Sequence, residues 1–74
     1  MVHAPMQYYV NDRALSSGAH EVHRQDCQYL PLIRSTSSLG KFDNCAEALL
    51  KAQAEYYPNS DGCAYCCINC RNRP

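Results

Sequence analysis

The sequence predicts a small α+β domain: a three-stranded antiparallel sheet, one main helix and a C-terminal cysteine knuckle. Three observations carry that prediction. Short β-prone runs precede a single strongly helical segment, Cys45 to Tyr57. Four of the six cysteines fall within eight residues, Cys63 to Cys70. Finally, a chain of 74 residues buries only roughly 60% of its unfolded surface. Such a chain needs a metal, disulfides or a partner to reach useful stability. With no Trp and one Phe, the large apolar groups are mainly Tyr and Leu, so the cysteines are expected to help hold the fold.

Residues 1–74 form one domain, with 1–6 as a flexible arm and 71–74 as a flexible tail. Gln7-Tyr8-Tyr9-Val10 is a first short strand, rich in β-favouring side chains. Asn11 to Gly18 ends in Ser16-Ser17-Gly18 and forms a loop. Ala19 to His23 is a second strand. With period two, His20, Val22 and Arg24 face one way and Glu21 and His23 the other. Pro31 interrupts Tyr29 to Ile33, which is a loop or 3₁₀ turn carrying Leu30 and Ile33 inward. Ser35 to Ser38 is a polar linker. Leu39 to Phe42 is the third strand, and burying both Leu39 and Phe42 requires a bulge near Gly40.

The helix is the most strongly signalled element. Asn44 is an N-cap with Glu47 three residues on, and the segment is rich in Ala, Leu, Glu, Lys and Gln. Ala46, Leu49, Leu50, Gln53, Ala54 and Tyr57 approximate its buried stripe. Pro58 stops it, and Asn59 to Gly62 is a turn leading into the cysteines. Cys45 lies in the first turn, either as a thiolate near the helix dipole or as a half-buried structural residue. The tyrosine pairs Tyr8-Tyr9 and Tyr56-Tyr57 are split between core and surface.

Seven basic residues balance seven acidic ones, which argues against nucleic acid as a partner, since such binders carry a basic face. No run approaches the roughly 18 apolar residues of a membrane span. Met1 to Val10 lacks the cationic start and apolar run of a leader, so a cytoplasmic location is expected. In a reducing compartment, clustered cysteines favour metal over disulfides. No Gly-rich phosphate loop, Ser/His/Asp arrangement or paired carboxylates stand out, so no catalytic residue is expected.

Cys63-x2-Cys66 and Cys67-x2-Cys70 each place two sulfurs on one side of a tight loop, as a tetrahedral metal requires. His23 and Cys27, spaced H-x3-C, are the remaining donors. The expected site is therefore His23, Cys27, Cys63 and Cys66, with Cys45, Cys67 and Cys70 as alternates. It holds one structural zinc ion, because four protein ligands leave no open position for water.

The order strand, H-x3-C, strand, helix, C-x2-C resembles the zinc-binding N-terminal domain of the Ada methylated-DNA repair protein and its small stand-alone relatives. The matching residues are His23, Cys27, Cys63 and Cys66, with Phe42 and Ala48 between them, and the likeness covers roughly His20 to Cys67. It implies the same zinc fold. Ada also transfers a methyl group from a DNA phosphotriester to a zinc-bound Cys, but this chain lacks the basic surface which that reaction needs. The linkers are longer, and Cys45, Cys67 and Cys70 have no place in the pattern. The runs H-E-V-H, L-G-x-F and C-x-Y-C-C also resemble small uncharacterised bacterial Cys-rich proteins. The function expected is a small structural zinc-binding module that pairs with a protein or with another copy of itself. Its alternatives are a thiol redox or metal-handling protein using the spare cysteines, or a disulfide-stapled secreted domain.

Overall fold

A computed structural model describes residues 4–72. The first three residues of the expected arm, and Arg73 and Pro74 of the expected tail, lie outside the described residues. Four strands and one α-helix are present: β1 (Met6–Asn11), β2 (His20–Arg24), β3 (Thr36–Phe42), α1 (Cys45–Glu55) and β4 (Ser60–Gly62). Short 3₁₀ turns cover Leu30–Leu32 and Ile68–Cys70.

The sheet has the order β3-β1-β2-β4. β1 pairs antiparallel with both β2 and β3, whereas β2 pairs parallel with β4. The expected three-stranded antiparallel sheet is thus corrected to a four-stranded mixed one. The missing strand is the segment expected to be a turn. Ser60, Asp61 and Gly62 align with His20, Glu21 and Val22. The reason is topological. After α1 crosses the sheet, the chain returns beside β2 in β2's own direction, so it can only pair parallel. Three residues with polar, turn-forming side chains become a strand because the helix delivers them there.

β3 also starts earlier than its apolar run. Thr36 to Ser38, expected as linker, pairs with Tyr9, Val10 and Asn11. The register jumps between Tyr8, opposite Gly40, and Tyr9, opposite Ser38, which leaves Leu39 unmatched. This is the bulge that lets Leu39 be buried while Phe42 still reaches the Tyr8 ring, with centroids 6.3 Å apart. Gly40 makes it with φ +103°, a value a side chain would oppose.

Asn44 caps α1, its Oδ1 accepting from the Glu47 N–H at 3.0 Å. The buried face of the helix is Ala48, Leu49 and Ala52. Leu50, placed by sequence on that face, is 66% exposed. Leu49 is common to both stripes, but packing favours the one that brings two alanines against the sheet, where small side chains allow close approach. The core joins these residues to Tyr8, Val10, Val22 and Leu39.

At the far end of β1, Asp12 accepts hydrogen bonds from Ser35 Oγ (2.7 Å), Ser37 Oγ (2.6 Å) and Tyr57 Oη (2.9 Å). It ties β1 and β3 to Tyr57, two residues past the helix. These bonds hold its carboxyl below the ordinary carboxylate range, Ser37 contributing most. Tyr8 is buried and Tyr56 partly exposed, as a split between core and surface requires.

Candidate metal centre

The C-terminal end of β2 gathers the donors. β1 and β4 flank β2, so His23 is 1% exposed. Val22 and His23 are both buried although they are neighbours on one strand. Val22 enters the core opposite Val10, while His23 lies among cysteines. The chain then turns, with Cys27 N–H donating to the Arg24 carbonyl at 2.9 Å, and Cys27 comes back beside His23. From the other end of the sequence, β4 runs directly into Cys63, whose N–H donates to the Val22 carbonyl at 3.0 Å. The parallel pairing of β4 with β2 is what brings the knuckle to the H-x3-C turn.

The ligand atoms of His23, Cys27, Cys63 and Cys66 all lie within 4.8 Å of one another. Cys27 Sγ is 3.5 Å from His23 Nδ1 and 3.9 Å from Cys63 Sγ, and Cys66 Sγ is 4.0 Å from His23 Nδ1. Three of the four residues are buried and Cys66 is half-buried. This cluster could coordinate a metal ion. Backbone N–H groups point at two of its sulfurs, Arg24 N–H at Cys66 Sγ (3.3 Å) and Tyr65 N–H at Cys63 Sγ (3.4 Å). Both donors favour the thiolate over the thiol.

His23 Nε2 is buried and has no hydrogen-bond partner among the described residues; it lies 3.6 Å from the Glu21 carboxylate. An imidazole that gives Nδ1 to a metal carries its proton on Nε2, and a nearby carboxylate orients the ring in that tautomer. Glu21 was not among the residues the sequence singled out. Its signal was there in the period of two, which puts Glu21 and His23 on the same face of β2.

Burial pushes the Cys63 thiol up to about 11 and raises Cys27 as well. Cys66 also rises to about 11, first because its S–H donates to Cys67 and second through burial. The same hydrogen bond lowers Cys67. A cation among these sulfurs would reverse the raised values, because binding requires the thiolates.

The alternates behave differently. Cys45 and Cys70 form a disulfide, which removes both from any ligand set. Cys67 is buried beside Cys66 but outside the four-donor cluster. Cys27, Cys63, Cys66 and Cys67 are free thiols, so the described residues hold one disulfide. The cytoplasmic expectation is corrected by the Cys45–Cys70 bond, which belongs to an oxidising environment. Sequence placed Cys45 correctly at the helix start, but nothing in the spacing pairs it with Cys70. His20 stays clear of the cluster, stacked on Tyr57 with ring centroids 3.8 Å apart and Nδ1 2.9 Å from the Asn11 carbonyl oxygen. No helix among the described residues is long and apolar enough to cross a membrane.

The molecule is thus a small domain with a Cys/His cluster suited to a metal and with a disulfide, a combination that fits metal or redox handling. No family model, no curated protein and no solved structure matches the chain, so the likeness to Ada comes down to a Cys/His metal-binding module in general.

Proposed function

We propose that this chain is a metal-handling domain that holds one zinc ion through His23, Cys27, Cys63 and Cys66. One observation carries the reading: the spacing of the donor atoms. Ligands bonded to a tetrahedral zinc at about 2.3 Å (sulfur) and about 2.0–2.1 Å (nitrogen) stand roughly 3.5–3.8 Å apart. Three of the donor separations are 3.5, 3.9 and 4.0 Å and all lie within 4.8 Å, so a contraction of about 1 Å or less closes the shell. Thiolate and imidazole donors also favour zinc over calcium or magnesium, which take oxygen. Four protein ligands leave no position for a reacting water, so the domain binds rather than catalyses.

The ion is cargo rather than the sole support of the fold. The two segments it would bridge are already joined by the β2–β4 pairing and by the Cys63 to Val22 hydrogen bond. The Cys45–Cys70 bond independently fastens the helix start to the C-terminal segment. Zinc can therefore enter and leave a chain that keeps its secondary structure.

Native mass spectrometry of the purified chain tests the reading. One zinc per chain is expected, lost in Cys63→Ser and in His23→Ala but kept in the double variant Cys45→Ser/Cys70→Ser. A strong chelator should remove the ion and leave the far-ultraviolet circular dichroism largely intact. Stoichiometric zinc in Cys63→Ser would rule out the donor set. Complete unfolding on chelation would return the ion to a purely structural role.

A further inference from the structure

Three cysteines belong to the donor cluster and two to the disulfide, which leaves Cys67. Its side chain is buried, 1% exposed, and its sulfur lies 3.8 Å from Cys66 Sγ. A donor cluster with four members has no need of it. Cys66 and Cys67 both line a cleft of about 230 Å³ whose walls include Tyr8, Arg24, Asn44 and Asn69. Among the four donors Cys66 is the half-buried one, whereas His23, Cys27 and Cys63 are closed to solvent. A reagent entering the cleft therefore meets Cys66 first, with a second sulfur directly behind it.

We propose that Cys66 and Cys67 form a two-electron thiol switch that releases the metal. The inference rests on the metal-holding reading above. The oxidant is a low-molecular-weight disulfide, R–S–S–R. The Cys66 sulfur attacks it, forming a Cys66–S–S–R bond and expelling R–S⁻. The Cys67 sulfur then attacks Cys66 Sγ, the Cys66–S–S–R bond breaks, and a second R–S⁻ leaves. The proton of the Cys67 thiol passes to one of the two departing thiolates. Cys66 and Cys67 have together lost two electrons and share a new S–S bond, and R–S–S–R has been reduced to two thiol equivalents. The ion keeps His23, Cys27 and Cys63 but loses its fourth ligand, so its affinity falls. A thiol reductant reverses the sequence.

The competing bridges are Cys66 to Cys27 or Cys63, all within 4.8 Å, and Cys27 to Cys63, whose sulfurs are 3.9 Å apart. Cys27 and Cys63 are both buried, 5% and 2% exposed, and bridging them to each other would have to begin at a sulfur no reagent reaches. Exposure singles out Cys66 as the point of entry, and Cys67, 3.8 Å away, is the neighbouring thiol that lies outside the donor cluster.

The test uses the zinc-loaded chain and oxidised glutathione, with release followed by a chromogenic zinc indicator and the bridge located by tandem mass spectrometry. Untreated chain should hold one zinc. Treated chain should release it while losing two hydrogens, with the bridge between Cys66 and Cys67. Cys67→Ser should still bind one zinc but release it roughly tenfold more slowly, because the thiol beside Cys66 that the metal does not hold is gone. If Cys67→Ser does not fold, the location of the bridge in the wild-type chain decides. A bridge between any pair other than Cys66 and Cys67, a lasting glutathione adduct on Cys66, or unchanged release from a folded Cys67→Ser would overturn the switch while leaving the metal reading standing. An untreated chain that binds no zinc would overturn both.

Discussion

Gly62 has no room for a side chain. A Cβ built there would lie 2.5 Å from the Cys67 carbonyl oxygen and 3.0 Å from the Cys70 carbonyl carbon. Those atoms are backbone of the segment that carries the cysteines, so they cannot rotate away. Gly62→Ala should cost about 2–3 kcal/mol through overpacking and weaken zinc retention by pushing Cys66 and Cys67 outward. Denaturant titration with a zinc assay on the same samples checks both effects. Asp12 acts at the opposite end of the sheet and through charge. Its carboxyl is held below its ordinary value of 3.8 by three hydroxyl donors. A group depressed in the folded state contributes stability above its unfolded pKa, near about 3.9, and loses that contribution as pH falls through the folded value. Wild type should therefore exceed Asp12→Asn in stability at neutral pH, and the gap should narrow in acid. Denaturation of both chains at about pH 6 and about pH 2 measures it; a gap of constant size would show that the carboxylate charge is irrelevant.

The helix shows which of two equally helical stripes the sheet accepts. Ala48 and Ala52 are fully buried, while Leu50 stands mostly in solvent. Ala48→Leu should cost about 1–3 kcal/mol, because two extra branches must enter a closed contact. Leu50→Gln should change stability by no more than about 0.5 kcal/mol. Thermal unfolding of the two variants would reverse that order if the apolar side chains alone had chosen the face. The helix start, by contrast, was legible before any tertiary contact, since Asn44 caps the Glu47 N–H through its own side chain. β3 lies between these cases. The requirement for a bulge near Gly40 could be read from the incompatible faces of Leu39 and Phe42. The strand's extension back to Thr36 could not, because serines pair in a sheet only when a neighbour such as β1 offers its backbone.

At the scale of the molecule, the proposed metal site and the disulfide divide the work. The Cys/His cluster gathers the end of β2 and the Cys63–Cys66 loop, and the disulfide joins the start of α1 to the last turn, across a sequence separation of 25. A covalent loop of that size stabilises by about 2–4 kcal/mol, largely by restricting the unfolded chain. Cys45→Ser/Cys70→Ser should lose about that much in denaturant titration and keep its zinc, since neither sulfur belongs to the donor set. Loss of zinc in this variant would mean that the disulfide positions the knuckle as well as fastening it.

What could be read from the residues was local or chemical: the capped helix, the first two strands, the 3₁₀ turn at Pro31, and the gathering of His23, Cys27, Cys63 and Cys66 into one cluster that could hold a metal. These depend on propensity, side-chain chemistry and short-range geometry, which adjacent residues carry with them. Three matters waited for the tertiary structure. The fourth strand exists because α1 returns the chain beside β2, and nothing in Ser60-Asp61-Gly62 announces a parallel partner forty residues away in the sequence. The buried face of the helix was decided by the shape of the sheet it meets. The partner of Cys45 was decided by where the last turn lands, and with it the environment to which the molecule belongs. Each joins residues far apart in the chain, and distance in the chain hides a contact until the fold closes it.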